Sequence, residues 1–191
     1  MNGNKLKIGC IVMAAGRSSR FGANKLLLKY EGKSLASRAL EVVPADKLSQ
    51  VVVVTGYTEV QELAELKGFK VVRNSLPEKG ISLTIRLGLE NLQKADAAMF
   101  MVCDQPLLNR ASVSAALDYY REHQDKIVSL AYNGVRGNPC IFPSWLFPEL
   151  SALEGDTGGG AVISKHKESL LLFEAADASE LRDVDHTSDL Y

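Results

Sequence analysis

Ala14-Ala15-Gly16-Arg17-Ser18-Ser19-Arg20-Phe21-Gly22-Ala23-Asn24-Lys25 follows directly on an apolar run from Ile8 to Met13. A buried strand therefore feeds a loop of small residues with two glycines, two arginines and a lysine. Such a loop can bring backbone N–H groups against an anion, because glycine lacks a Cβ. Arg and Lys supply countercharge, so the chemistry indicated is polyphosphate binding. Two familiar phosphate motifs fail here. A P-loop sets Lys immediately after its second glycine, with four residues between the glycines; here five separate Gly16 from Gly22, and Lys25 lies three beyond. A dinucleotide fingerprint needs glycine where Ser18 stands.

A second constellation is Met101-Val102-Cys103-Asp104-Gln105-Pro106. An apolar strand ends on a carboxylate and is stopped by proline. Asp104 can hold Mg²⁺ against nucleotide phosphates, since magnesium takes one or two carboxylates and keeps its waters. It can equally cap the helix or turn that follows. The residues alone leave both uses open.

The first loop resembles the signature A-A-G-x-(G/S)-x-R-(M/F)-G, followed closely by Lys, of nucleotidyltransferases with a Rossmann-like domain. Within that superfamily it is most similar to the MobA-like branch containing molybdenum cofactor cytidylyltransferase and molybdenum hydroxylase accessory proteins. The resemblance implies a three-layer sandwich of the nucleotide-diphospho-sugar transferase type. It implies that Ala14, Ala15 and Gly16 line the nucleotide, with Arg20 and Lys25 as cations on the triphosphate. Asp104 falls in a segment similar to the family's D-(Q/M/I)-P, which carries a metal-binding Asp. The tail Asp183-Val184-Asp185-His186-Thr187-Ser188-Asp189-Leu190 resembles D-(I/V)-D-T-P-x-D-(L/F), implying Asp185 as a second metal carboxylate, although His186 and Thr187 replace Thr-Pro. Asn74, Gly80 and Ser82 lie in a segment similar to one that lines the base and opens a helix. There Gly80 would permit close approach, and Ser82 would cap the helix or bond a ligand.

Gly137-Asn138-Pro139 and Gly155-Asp156-Thr157-Gly158 resemble the acceptor-side segments G-H-P and G-D-x-G-A-R, marking Asn138 and Asp156. Here Asn138 replaces His, and Gly160 stands where the motif has Arg. The implied reaction is Mg²⁺-dependent nucleotidyl transfer: an acceptor phosphate attacks the α-phosphorus of a nucleoside triphosphate and pyrophosphate departs. An anionic nucleophile needs no general base, which agrees with the lack of a Ser-His-Asp set. The A-A-G form is shared with pyrimidine transferases, whereas the guanylyl branch reads L-A-G-G. CTP is thus the expected donor, molybdopterin the expected acceptor, and a molybdenum hydroxylase a possible client. A sugar or polyol phosphate acceptor, a non-catalytic accessory module and a dinucleotide-dependent oxidoreductase are the rivals.

These residues need elements to position them. Strands are expected over Ile8–Ala14, Val51–Thr55, Phe69–Arg73, Ala97–Cys103 and Ile127–Ala131. Helices are expected over Leu35–Val43, Glu59–Leu66, Ile81–Leu92 and Ser112–Tyr120. In the third helix Ile81, Ile85, Leu89 and Leu92 form one apolar stripe. Runs such as Val51-Val52-Val53-Val54 suit strands buried on both faces, hence a mostly parallel, doubly wound α/β sheet with a crevice at the strands' carboxyl ends. Both charged constellations fall at those ends. Past residue 132 the rhythm changes: a turn-rich stretch, a short strand at Cys140–Phe142, a helix over Trp145–Leu153 and a loop at Gly155–Gly160. We divide one domain into a nucleotide-binding part (1–131) and an acceptor-side part (132–191).

Composition narrows the class. The chain has 191 residues, 46% of them hydrophobic, enough for one sizeable core. A net charge of −1 gives no electrostatic case for nucleic acid or anionic membrane. No apolar run reaches the roughly 20 residues of a membrane span. Residues 1–5 lack the apolar core of a secretion signal. Cys10, Cys103 and Cys140 are odd in number and show no C-x-x-C spacing, which argues against a disulfide framework or zinc site. Cys10 and Cys103, in apolar strand-like runs, are expected to be buried free thiols, and a cytoplasmic setting is expected. His123, His166 and His186 are read as surface side chains.

Overall fold

The computed structural model describes residues 6–16 and 24–184. Its centre is a seven-stranded sheet built from β1 (Ile8–Ala14), β4 (Gln50–Thr55), β5 (Lys70–Arg73), β6 (Ala97–Val102), β7 (Ile127–Tyr132), β8 (Val135–Pro143) and β9 (Leu170–Glu174). A two-stranded hairpin, β2 (Lys29–Tyr30) and β3 (Lys33–Ser34), stands apart from it. The order across the large sheet is β5-β4-β1-β6-β8-β7-β9. Only β8 runs against its neighbours β6 and β7; the other pairings are parallel.

Alternating side chains sort the strands' residues onto two covered faces. Cys10, Val12 and Val53 pack with α1 (Leu35–Glu41), α2 (Thr58–Leu66) and α4 (Arg110–Glu122). Ile11, Val52 and Val54 pack with α3 (Ile81–Glu90), α5 (Phe147–Ser151) and α6 (Gly160–Lys165). This is the expected doubly wound sandwich. Each such valine contributes roughly 1.5–3 kcal/mol by leaving water. The strand order reverses about β1 and β6, so their carboxyl ends open the crevice where α/β sheets bind ligands. Among the described residues no helix is long and apolar enough to cross a membrane.

The second half departs most from expectation. The stretch after Tyr132 is a tight hairpin: Asn133 and Gly134 both take positive φ, 48° and 75°, the Asn-Gly geometry that joins twisted strands. β8 is therefore nine residues long rather than a short strand at 140–142. The helix expected over 145–153 is a 3-10 turn, Ser144–Leu146, followed by five residues of α-helix. Part of the expected glycine loop is the first turn of α6. β9 carries no alternation, because as an edge strand it is only half-buried on both sides.

Candidate active site

The site is assembled at the ends of β1 and β6. Beyond β1, Ala14 and Ala15 are buried, while Gly16 is exposed with open space where a Cβ would stand. The Tyr57 hydroxyl donates to the Gly16 carbonyl at 2.8 Å and ties the start of the loop to the β4–α2 connection. Arg17, Arg20 and Gly22 lie outside the described residues. At the far end, Asn24 Oδ1 accepts from Leu26 N at 3.1 Å and caps a single 3-10 turn, with buried Leu26 as its anchor. That turn aims Lys25 inward.

Lys25 Nζ donates to Asp104 Oδ2 at 2.8 Å and to the Val184 carbonyl at 3.2 Å. The two residues expected to act from separate constellations are in direct contact. Asp104 does not cap α4; Asn109 does, its Oδ1 accepting from Ala111 N at 2.8 Å. The other carboxylate oxygen, Asp104 Oδ1, is buried with no partner among the described residues. An ionised oxygen left this way is costly unless something positive or donating occupies the space. Next to it, burial pushes the Cys103 thiol well above its ordinary range; the Asp104 charge adds to this and Lys25 offsets part. Cys103 is thus a protonated packing residue and not a nucleophile. All three cysteines are free and buried.

A strap from the end of the chain completes this corner. Glu180 is buried, and its carboxylate accepts from Asn109 N, Ser112 Oγ and Ala176 N at 3.1, 2.9 and 3.2 Å. The Gln105 amide donates to the Leu181 carbonyl at 3.4 Å. So pinned, the strap delivers Val184, whose N–H donates to the Asp104 carbonyl at 2.9 Å. Asp185, the next residue, lies outside the described residues.

Asn74 is buried, and both ends of its side chain are engaged. Its amide donates to Thr84 Oγ1 at 3.1 Å, and its oxygen accepts from Leu76 N at 3.0 Å. It joins the β5 exit to α3. Gly80 has φ +84°, and a Cβ there would stand 2.3 Å from the Gly155 carbonyl. Its close approach is therefore to the Gly155–Asp156 backbone of the same chain. Ser82 is not the helix cap: Gly80 holds that position without a side-chain bond, and the Gly155 carbonyl accepts from Ser82 N at 3.1 Å. Asp156 is exposed on this loop and lines neither of the two cavities described next.

Asn138 lies in the wall between those cavities. One, of about 500 Å³, lies between the β7–β8 hairpin and the strap and is lined by Gln105, Tyr132, Arg136, Asn138, Leu181 and Asp183, among others. The other, of about 200 Å³, is mostly apolar, with Ile81, Ile85, Phe100, Phe142, Leu150 and Gly160 in its walls. Arg136 and Asn138 border both.

A lysine–aspartate pair thus stands at the switch point of an α/β sheet, the place where such sheets bind ligands. The MobA-like NTP transferase domain model matches residues 10–170. The chain belongs to this family. Purine catabolism protein PucB of Bacillus subtilis is 27% identical over 92% of this chain and 90% of its own length. A probable molybdenum cofactor guanylyltransferase of Thermococcus sibiricus is 34% identical over 59% of this chain and 55% of its own. Among solved structures, Rv0371c from Mycobacterium tuberculosis H37Rv superposes with a TM-score of 0.81 at 26% identity, covering 96% of this chain and 95% of that one. Its complex with manganese superposes at 0.76 and 25%, with the same coverage.

For this MobA-like chain, the sequence reading missed Tyr57, Gln105, Arg136 and the strap anchored by Glu180. Only the Asn133-Gly134 dipeptide signalled any of them, since it announces the hairpin that carries Arg136 and Asn138.

Proposed function

We propose that this nucleotidyltransferase moves CMP from CTP to the phosphate of molybdopterin and releases pyrophosphate. The observation that carries the reading is Asp104, with one oxygen on Lys25 and the other buried and unpartnered at the crevice among the described residues. That oxygen fits a divalent cation. Asp104 would hold Mg²⁺, with Asp185 as second carboxylate, and the ion would neutralise phosphate charge. Support for Asp185 is the Val184–Asp104 backbone bond, which brings the described chain up to the site.

The acceptor phosphate oxygen forms a bond to the α-phosphorus while the bond from that phosphorus to the bridging oxygen of pyrophosphate breaks. Lys25 contributes charge from a fixed position, since the Asn24-capped turn and the Val184 carbonyl hold its ammonium group at the crevice. Arg20 is the proposed second cation. Ala14, Ala15 and Gly16 form the proposed floor under the nucleotide, with Ser82 near the base. Asn74 and Gly80 shape that wall from behind. The name of the Thermococcus relative favours a second reading, in which GTP is the donor. The Ala15 methyl, where guanylyl enzymes have glycine, favours CTP.

The test is pyrophosphate release from CTP, GTP, ATP and UTP with molybdopterin and Mg²⁺. CTP is expected to be fastest, and Asp104→Asn to abolish the signal. Faster release from GTP overturns the base assignment. Calorimetric binding of CTP with no pyrophosphate from any nucleotide would make the chain a binding module.

A further inference from the structure

Arg136 is a cation that the fold leaves for something else. It sits on β8 near the hairpin turn, in the wall shared by both cavities. No carboxylate pairs with it among the described residues; its one hydrogen-bond contact there is a distant one, 4.0 Å from Nη1 to Cys140 Sγ. Other arginines with short side-chain bonds among the described residues serve the fold. Arg38, Arg110 and Arg121 each hold a carboxylate and a backbone carbonyl. A guanidinium held at the mouth of a cavity offers paired N–H donors in the geometry of a phosphate.

Two further features point to an occupant. Gly160 leaves the guanidinium room: a Cβ there would lie 3.2 Å from Arg136 Nη2. The small residue and the arginine thus fill one space between them. A residue in the wall of the larger cavity also carries an uncompensated acceptor just beneath the surface. This is Gln105, almost fully buried, whose Oε1 has no partner among the described residues. A donor on a bound molecule would relieve that oxygen. At about 500 Å³ the cavity falls in the usual range for small-molecule sites, roughly 300–1,000 Å³. It also adjoins the transfer corner directly, because Gln105 follows Asp104 and Asp183 precedes Val184.

We propose that Arg136 binds the phosphate of the acceptor, a phosphate monoester of a nitrogen heterocycle whose body occupies the cavity beside Gln105. This rests on the transfer reading for its reaction but not for its binding. Arg136 would also determine acceptor specificity, since it lines this cavity whereas Lys25, the cation proposed for the triphosphate, is not among its lining residues.

The test is binding, read by pterin fluorescence with CTP present and no divalent metal, using molybdopterin and its dephosphorylated form as probes. The native chain should hold the phosphorylated probe roughly 10–100-fold more tightly, the range for hydrogen bonds to a charged group. Arg136→Ala should erase that preference and leave CTP affinity unchanged. Arg136→Ala combined with Gly160→Arg should restore part of it, because the new side chain starts from the vacated space. A purely structural arginine would not be rescued so. Unchanged affinity in Arg136→Ala, or a native chain indifferent to the phosphate, overturns the proposal. Ribose 5-phosphate bound as tightly as molybdopterin overturns the heterocycle. A native chain that binds the phosphorylated probe selectively yet releases no pyrophosphate refutes transfer and leaves the Arg136 assignment intact.

Discussion

Lys25→Met tests whether the cation proposed to serve the triphosphate also holds the site together. At 2.8 Å and an effective dielectric constant of about 20, the Lys25–Asp104 attraction is about 6 kcal/mol before desolvation is subtracted. Exposed pairs retain about 0–1 kcal/mol of this, whereas breaking a buried pair costs about 3–5. With side chains 17% and 23% exposed, this pair lies toward the buried end. The substitution also strands Asp104 Oδ2 beside an oxygen that already lacks a partner among the described residues, and frees the Val184 carbonyl. We expect a loss of about 2–4 kcal/mol in urea unfolding, within reach of a domain whose total is about 5–15. Pyrophosphate release should fall by on the order of 10²–10³. Lys33→Met is the control: its bond to Glu41 is just as short, but the side chains are 56% and 39% exposed, so stability should move by less than about 1 kcal/mol. Equal stability changes in the two variants would refute the argument from burial. Native turnover in Lys25→Met would remove Lys25 from the chemistry.

Gly80→Ala should cost at least about 3 kcal/mol in thermal or urea unfolding, since φ +84° with ψ −178° is a glycine-only conformation and the new Cβ meets rigid backbone; a loss under about 1 kcal/mol refutes the close approach. Glu180→Ala should cost roughly 2–4 kcal/mol by stranding three donors, and should lower turnover with it as the strap loosens; full activity would show that the strap does not position Asp104. Stability should decline in alkali. Burial raises the folded-state values of Cys10, Cys103, Cys140 and Tyr120, so the unfolded chain releases protons first, and stability present below about pH 8.5 is lost as pH rises. Urea midpoints at pH 8 and pH 10 check this, and equal midpoints overturn it.

The first 131 residues were largely legible because their strands announce themselves. A run such as Val51–Val54 can be satisfied only by burial on both faces, and such a strand needs helices above and below. The Asp104 segment was legible for a similar reason, a carboxylate at the abrupt end of an apolar run. The later elements were not, because their stability comes from partners distant in the chain. β9 has no pattern of its own and exists by pairing with β7. Gly80 was read as making room for a ligand, when what approaches it is Gly155, 75 residues later.

By itself, then, the sequence determined the parallel first half of the sheet and the crevice at its strands' carboxyl ends, since hydrophobic pattern is a local property. Only tertiary structure decided that Lys25 and Asp104 touch, that a strap anchored by Glu180 closes on them, and that Arg136 shares its space with Gly160. These are meetings between residues 24 to 159 positions apart. Nothing in the local chain encodes such contacts; the packing of the two covered faces brings them about.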